Sequence, residues 1–196
     1  MRKRTDLSNY LIHFTKDTEH SSAYHNFMSI IEKKRIYGNS SKVKGGYKCV
    51  SFTEAPCTQN KTMLVNSSNH SLYSGFGFMT TKQHISQLQG APVIYQSEDM
   101  FYELPENLRW KHVTFDLSRK PPIDFTWERE WRVKKTSLEI DPLNYILVVP
   151  NREIADNIVS DHYYSEMGQV KYYDMIIGDL AEFMVRPFQW NFEYLS

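Results

Sequence analysis

The sequence predicts an α+β fold, with curved and mostly antiparallel sheets flanked by helices, in one domain spanning residues 1–196. Three observations carry that expectation. Short apolar, aromatic and β-branched runs of strand length recur through the middle of the chain. One helical stripe lies early and another late. No linker rich in Gly, Pro or Ser divides the chain, and no segment repeats. With 41% hydrophobic residues, among them 13 Tyr, 11 Phe and 4 Trp, the chain has enough to fill a core and is not a disordered tail.

The elements follow in order. "NYLIHFT", from Asn9 to Thr15, is short and apolar and reads as a strand. Tyr24, Phe27, Met28 and Ile31 recur at helical spacing, and the basic turn Lys33-Lys34-Arg35 before Gly38 suits a helix C-terminus. "NSSKVKGG" is a loop, and "YKCVSFTEA" a second strand halted by Pro56. The polar run from Thr58 to Ser71 is expected to be a mobile insertion. "FGFMTT" reads as a strand, "KQHISQLQ" as a short helix, "APVIYQ" as a strand and "ENLRW" as a helical turn. Three strands are expected in "HVTFDL", "WEREWRVKK" and "YILVVP". Asn151 should then cap a helix with Ile154, Ile158 and Val159 along one stripe, and "YYDMIIGD" reads as a late strand.

Charge narrows the partners. Lys plus Arg (23) balances Asp plus Glu (23), so there is no global field to hold a duplex or an anionic membrane, although a local basic patch is compatible with it. No apolar run is long enough to span a bilayer, and the opening MRKR lacks the apolar region of a secretory signal. Cys49 and Cys57 make no disulfide framework, and no CxxC or HxxxH spacing suggests zinc. A cytoplasmic, membrane-free protein with no metal ligands is therefore expected.

The chemistry lies in three short motifs. In "DFTWEREWRVKK", an extended backbone would set Glu128 and Glu130 on one face, about 7 Å apart. Like charges so placed suit holding a metal ion or stabilising a developing positive charge; the bland alternative is a solvated strand face beside Arg129, Arg132 and Lys134. "IHFT" sets His13 and Thr15 on one strand face, and "VSFTE" does the same for Ser51 and Thr53. A lone His or a pair of strand hydroxyls is more often structural.

Together, a His–x–Thr strand, a Ser–aromatic–Thr strand and a Glu–x–Glu strand resemble the ADP-ribosyltransferase fold. More closely, "LIHFT…VSFTEAP…YSGFGFMTTK…GAPVIY…LRW…DFTWEREWRV" is similar to AbiGi-type abortive-infection proteins of phage defence. The resemblance covers about Tyr10 to Val133. It implies NAD as the substrate, with a protein or a nucleic acid among the candidate acceptors of ADP-ribose, and a toxin–antitoxin or phage protein as partner. It implies that Glu130 holds the nicotinamide-ribose 2′-hydroxyl and stabilises an oxocarbenium-like cation, and that Glu128 deprotonates the acceptor. His13 and Thr15 would position NAD, Ser51 and Thr53 would shape the ribose pocket, and Tyr73, Phe76 or Tyr95 would stack on nicotinamide. Glu54 is an extra acid in such a site, which Arg132 or Lys82 would have to offset. Two rivals stand beside this reading. One is a non-catalytic antitoxin or sensor with a tyrosine-rich surface. The other is a metal-dependent nuclease using Asp124, Glu130 and Arg132.

Overall fold

The computed structural model describes residues 7–54, 74–177 and 184–195. The expected insertion and Tyr73 lie outside them. Strand β1 (Tyr10–Phe14) opens the fold, and helix α1 (Ala23–Lys33) follows on the predicted stripe. The Ser22 hydroxyl accepts from the His25 N–H at its start, and Lys34 closes it in the left-handed conformation at φ 50°. The chain then enters a short strand, β2 (Arg35–Tyr37), where the sequence suggests only a basic helix end. Strand β3 (Val50–Thr53), strand β4 (Gly77–Thr81) and helix α2 (Lys82–Gln87) fall where expected.

"APVIYQ" is two strands, not one: β5 (Ala91–Pro92) and β6 (Ile94–Gln96) join different sheets. The turn α3 (Met100–Glu103) and a 3-10 helix (Glu106–Lys111) lead to β7 (His112–Thr114). "WEREWRVKK" is strand only in β8 (Glu130–Val133), because Thr126–Glu128 form a 3-10 turn and Arg129 takes the left-handed conformation at φ 45°. β9 (Ser137–Glu139) and β10 (Ile146–Val149) follow. Asn151 caps helix α4 (Arg152–Ile177) as expected, its Oδ1 accepting from the Ile154 N–H at 3.0 Å. That helix runs on through Tyr172–Ile177, where the sequence suggests a late strand; nothing in the preceding residues breaks the helix, and its hydrogen-bond ladder outweighs the β-branched and aromatic composition. β11 (Phe192–Tyr194) was not anticipated.

A mixed α and β architecture with a mostly antiparallel sheet results. Seven strands run in the order β11-β10-β4-β1-β3-β8-β5, with β11 alone parallel to its neighbour. β2 pairs with β9, and β6 with β7 in parallel, as two smaller sheets. Alternation splits the large sheet into two apolar faces. Leu11, Phe52, Phe78 and Leu147 share the main core with Phe27 and Ile31 of α1 and Ala155 and Ile158 of α4. Ile12, Phe14, Met79, Val148 and Leu195 cluster on the reverse side.

Gly77 marks a close approach of β4 to β1. It pairs with Phe14, and a Cβ there would stand 2.8 Å from the His13 carbonyl oxygen and 3.1 Å from the Phe14 ring. Gly77→Ala is therefore expected to destabilise the protein by about 1–3 kcal/mol, the usual cost of overpacking. Urea unfolding would check this; an unchanged midpoint would mean that β1 and β4 have room to separate.

Candidate functional site

The three motifs meet on neighbouring strands. β1, β3 and β8 lie side by side, and their register puts Ile12 opposite Thr53, Thr53 opposite Glu130, and Ser51 opposite Arg132. Directly opposed residues share a face. Ser51, Thr53, Glu130 and Arg132 therefore stand together on the side of the sheet that bears Ile12. His13, one residue along, points to the other side, where its ring meets Phe52 edge-on at 5.8 Å. The expected convergence of His13 with Glu130 in one cleft is corrected here: the offset between β1 and β3 sends them to opposite faces.

Glu130 is held rigidly. Its side chain is 13% exposed and that of Arg132 only 4%. Arg132 donates from Nε to Glu130 Oε1 at 2.8 Å and from Nη2 to Oε2 at 3.2 Å. Its Nη1 donates to the carbonyls of Trp110 and His112, each at 3.0 Å. Arg132 thus serves the carboxylate and the protein backbone, where the sequence suggests an offset to the extra acid Glu54. The Glu130 N–H donates to the Tyr95 hydroxyl oxygen at 3.0 Å. Burial, with the nearby Glu130 and Glu128 charges adding, pushes the Tyr95 phenol up to about 12, so it stays protonated. Tyr95 is therefore bonded through its hydroxyl to the carboxylate's own backbone.

Glu128 does not share the strand face of Glu130, because the left-handed Arg129 between them breaks the alternation. Its carbonyl accepts from Thr53 Oγ1 at 2.5 Å, so the two acids belong to one neighbourhood through β3. Lys16, which follows the His–x–Thr motif directly, joins them. Its ammonium is lowered from its ordinary value by burial and by Lys42, while Glu128 and Glu130 act in the opposite sense. The sequence reading overlooked Lys16 and Lys42; the position of Lys16 beside "HFT" was the available signal.

The remaining candidates are structural in their contacts. His13 Nδ1 lies 2.8 Å from the Ser51 carbonyl, which can only accept, so Nδ1 carries the proton. β1 and β3 pair at the single position Ile12–Thr53, and the imidazole spans the two strands just beyond it. Burial holds the His13 ring below its ordinary pKa, with Lys16 adding to that and the Ser51 bond opposing it. Thr15 is 4% exposed and its hydroxyl donates to the Phe76 carbonyl at 3.2 Å. Phe76, expected to stack on nicotinamide, packs instead on Tyr24 and Phe27 of α1, with centroids 5.2 and 5.5 Å away. Glu54 is buried, and its carboxylate meets Lys82 Nζ at 2.6 Å and Trp131 Nε1 at 3.2 Å. Lys82, not Arg132, offsets this extra acid.

Asp124, the nuclease candidate, is exposed and accepts from both the N–H and the hydroxyl of Thr126 in its own turn. Among the described residues no three His, Cys, Asp or Glu side chains converge as a metal site would require. No described helix is long and apolar enough to cross a membrane. Comparison with protein-family models, with curated proteins and with solved structures finds no match.

Two outcomes follow from these contacts. Arg132→Leu strands the Glu130 carboxylate and two buried carbonyls, so a loss of about 3–5 kcal/mol is expected in chemical denaturation. An unfolded imidazole binds its proton near pH 6.5, whereas burial holds the folded His13 and His84 rings below that value. Stability should therefore decline as pH falls through about 6.5. His13→Gln, which keeps a donor for the Ser51 carbonyl, should flatten part of that decline; an identical profile would show that His13 does not contribute.

Proposed function

We propose that this chain acts on NAD, as an ADP-ribosyltransferase or an NAD glycohydrolase in phage defence or a toxin–antitoxin system, with an ADP-ribosyltransferase-like fold. The observation that carries the reading is the adjacency of β1, β3 and β8, which sets Ser51 and Thr53 on the face of a carboxylate mostly shielded from water, with His13 on the next strand facing the other way. Glu130 would anchor the nicotinamide-ribose 2′-hydroxyl, flanked by Thr53 and Ser51. As the C1′–N bond breaks, its electron pair leaves with nicotinamide and the sugar becomes cationic. A fixed negative group beside it lowers the barrier without reorganising. The acceptor then bonds to C1′ and gives up a proton, which Glu128, in the turn just before β8, would take. His13 enters as a positioning residue, holding β3 through the Ser51 carbonyl where β1 and β3 part.

A second reading draws on one specific observation. Both oxygens of Glu130 are taken by Arg132, and His13 lies across the sheet, which suits a binding module without catalysis. An antitoxin or sensor would keep this frame for its shape alone.

Nicotinamide release from NAD separates the two. The enzyme reading expects turnover by the wild-type chain and a drop of about 100-fold or more in Glu130→Gln, assayed well below that variant's melting temperature. His13→Gln should lower kcat with KM for NAD little changed, since it acts through β3 and not on the ligand. Full activity in Glu130→Gln would end the enzyme reading, and a wild-type chain that leaves NAD intact while co-purifying with a partner would install the binding module.

A further inference from the structure

We propose that the hollow beside Lys134, past the end of β8 away from Glu130, is a binding groove for single-stranded nucleic acid. Two adjoining depressions, of about 480 and 250 Å³, share Asn107 and Lys134. Tyr47 lines the first, and Gln89, Trp110 and Lys135 line the second. Lys134 lies 4.7 Å over the Tyr47 ring, and Lys111 lies 5.2 Å over that of Trp110. Two half-buried lysines elsewhere are matched, Lys44 with Glu98 at 3.3 Å and Lys82 with Glu54 at 2.6 Å, whereas here Lys111 is half-buried and Lys134 and Lys135 are exposed. Lys111, Lys134 and Lys135 have no carboxylate within ion-pairing distance among the described residues, and Glu106 is the single acid on the lining.

Lys134 and Lys135 are consecutive and Lys111 lies over the ring of Trp110, which lines the same hollow, so in a chain of zero net charge these groups give this spot a local positive potential. Phosphates are the complement to such a row. The exposed amides of Gln89 and Asn107, with the partly exposed Tyr47 ring, offer hydrogen bonds and a π-face to bases, which only an unpaired strand presents. A duplex gains little here, because its bases are stacked away and no wider field draws it in. The groove lies about 13 Å along β8 from Glu130, four residues at about 3.3 Å each. It does not depend on the NAD reading.

Fluorescence anisotropy with labelled oligo(U) and oligo(dT) of about 12 nucleotides tests it, at about 50 and 200 mM salt. The triple variant Lys111→Gln, Lys134→Gln, Lys135→Gln should bind at least about tenfold more weakly at the lower salt. Its log–log salt slope should be shallower by about 2, three contacts at about 0.7 each for single strands. Arg152→Gln, on α4 and four strands away across the sheet, should match the wild type, and melting temperatures confirm folding in both. The proposal is overturned by wild-type protein that binds neither oligonucleotide at the lower salt, by a triple variant that binds like Arg152→Gln, or by a duplex or polyglutamate that competes as well as the single strands.

Discussion

A guanidinium almost wholly withdrawn from water persists only where its charge is balanced and its donors are met. Arg132 meets both demands at once. Two of its hydrogen bonds engage Glu130 and two engage the carbonyls of Trp110 and His112, so four of its five N–H groups are satisfied. The first pair fixes a carboxylate on β8, and the second ties the segment leading into β7 to the large sheet. The small β6–β7 sheet and the Glu130 carboxylate are joined at that one side chain, and the bond from the Glu130 N–H to Tyr95 adds a second tie. The net effect on stability of such an ion pair is modest compared with the cost of breaking it, so its main product is a unique arrangement.

That arrangement shapes whatever chemistry the site performs. A carboxylate paired with guanidinium keeps its direction, but shares its oxygens. It suits anchoring and electrostatic support better than proton abstraction. Lys16 and Lys42 then set the local balance of charge, with Glu128 the acid outside the pair. The single pairing between β1 and β3 leaves these two strands joined more by the His13 imidazole than by a continuous ladder. A seam of that kind is where a large sheet can open locally at least cost.

Much of this was legible in the amino-acid order. β1, β3, β4, β10 and both long helices follow hydrophobic periodicity, and Ser51 and Thr53 do share a face with Glu130. What escaped has a physical cause in each case. β2, β9 and β11 are three-residue strands, too short to show alternation. "WEREWRV" looks uniformly extended, but the left-handed Arg129 restarts the alternation at Glu130, so Glu128 belongs to a turn. Spacing within β1 correctly joins His13 to Thr15. The face on which both then lie depends on how β1 is offset against β3, which no local pattern dictates. Tyr95 was recognised as important for its ring, whereas its hydroxyl makes the contact.

The rims of the large sheet carry a further consequence. One ends in β5, only Ala91–Pro92, and the other in the three-residue β11 with an exposed Glu193. Proline offers no N–H to an incoming chain, and short or charged borders give an intruding segment little to grip. Both margins of the large sheet thus give a neighbouring molecule little to extend as an added strand.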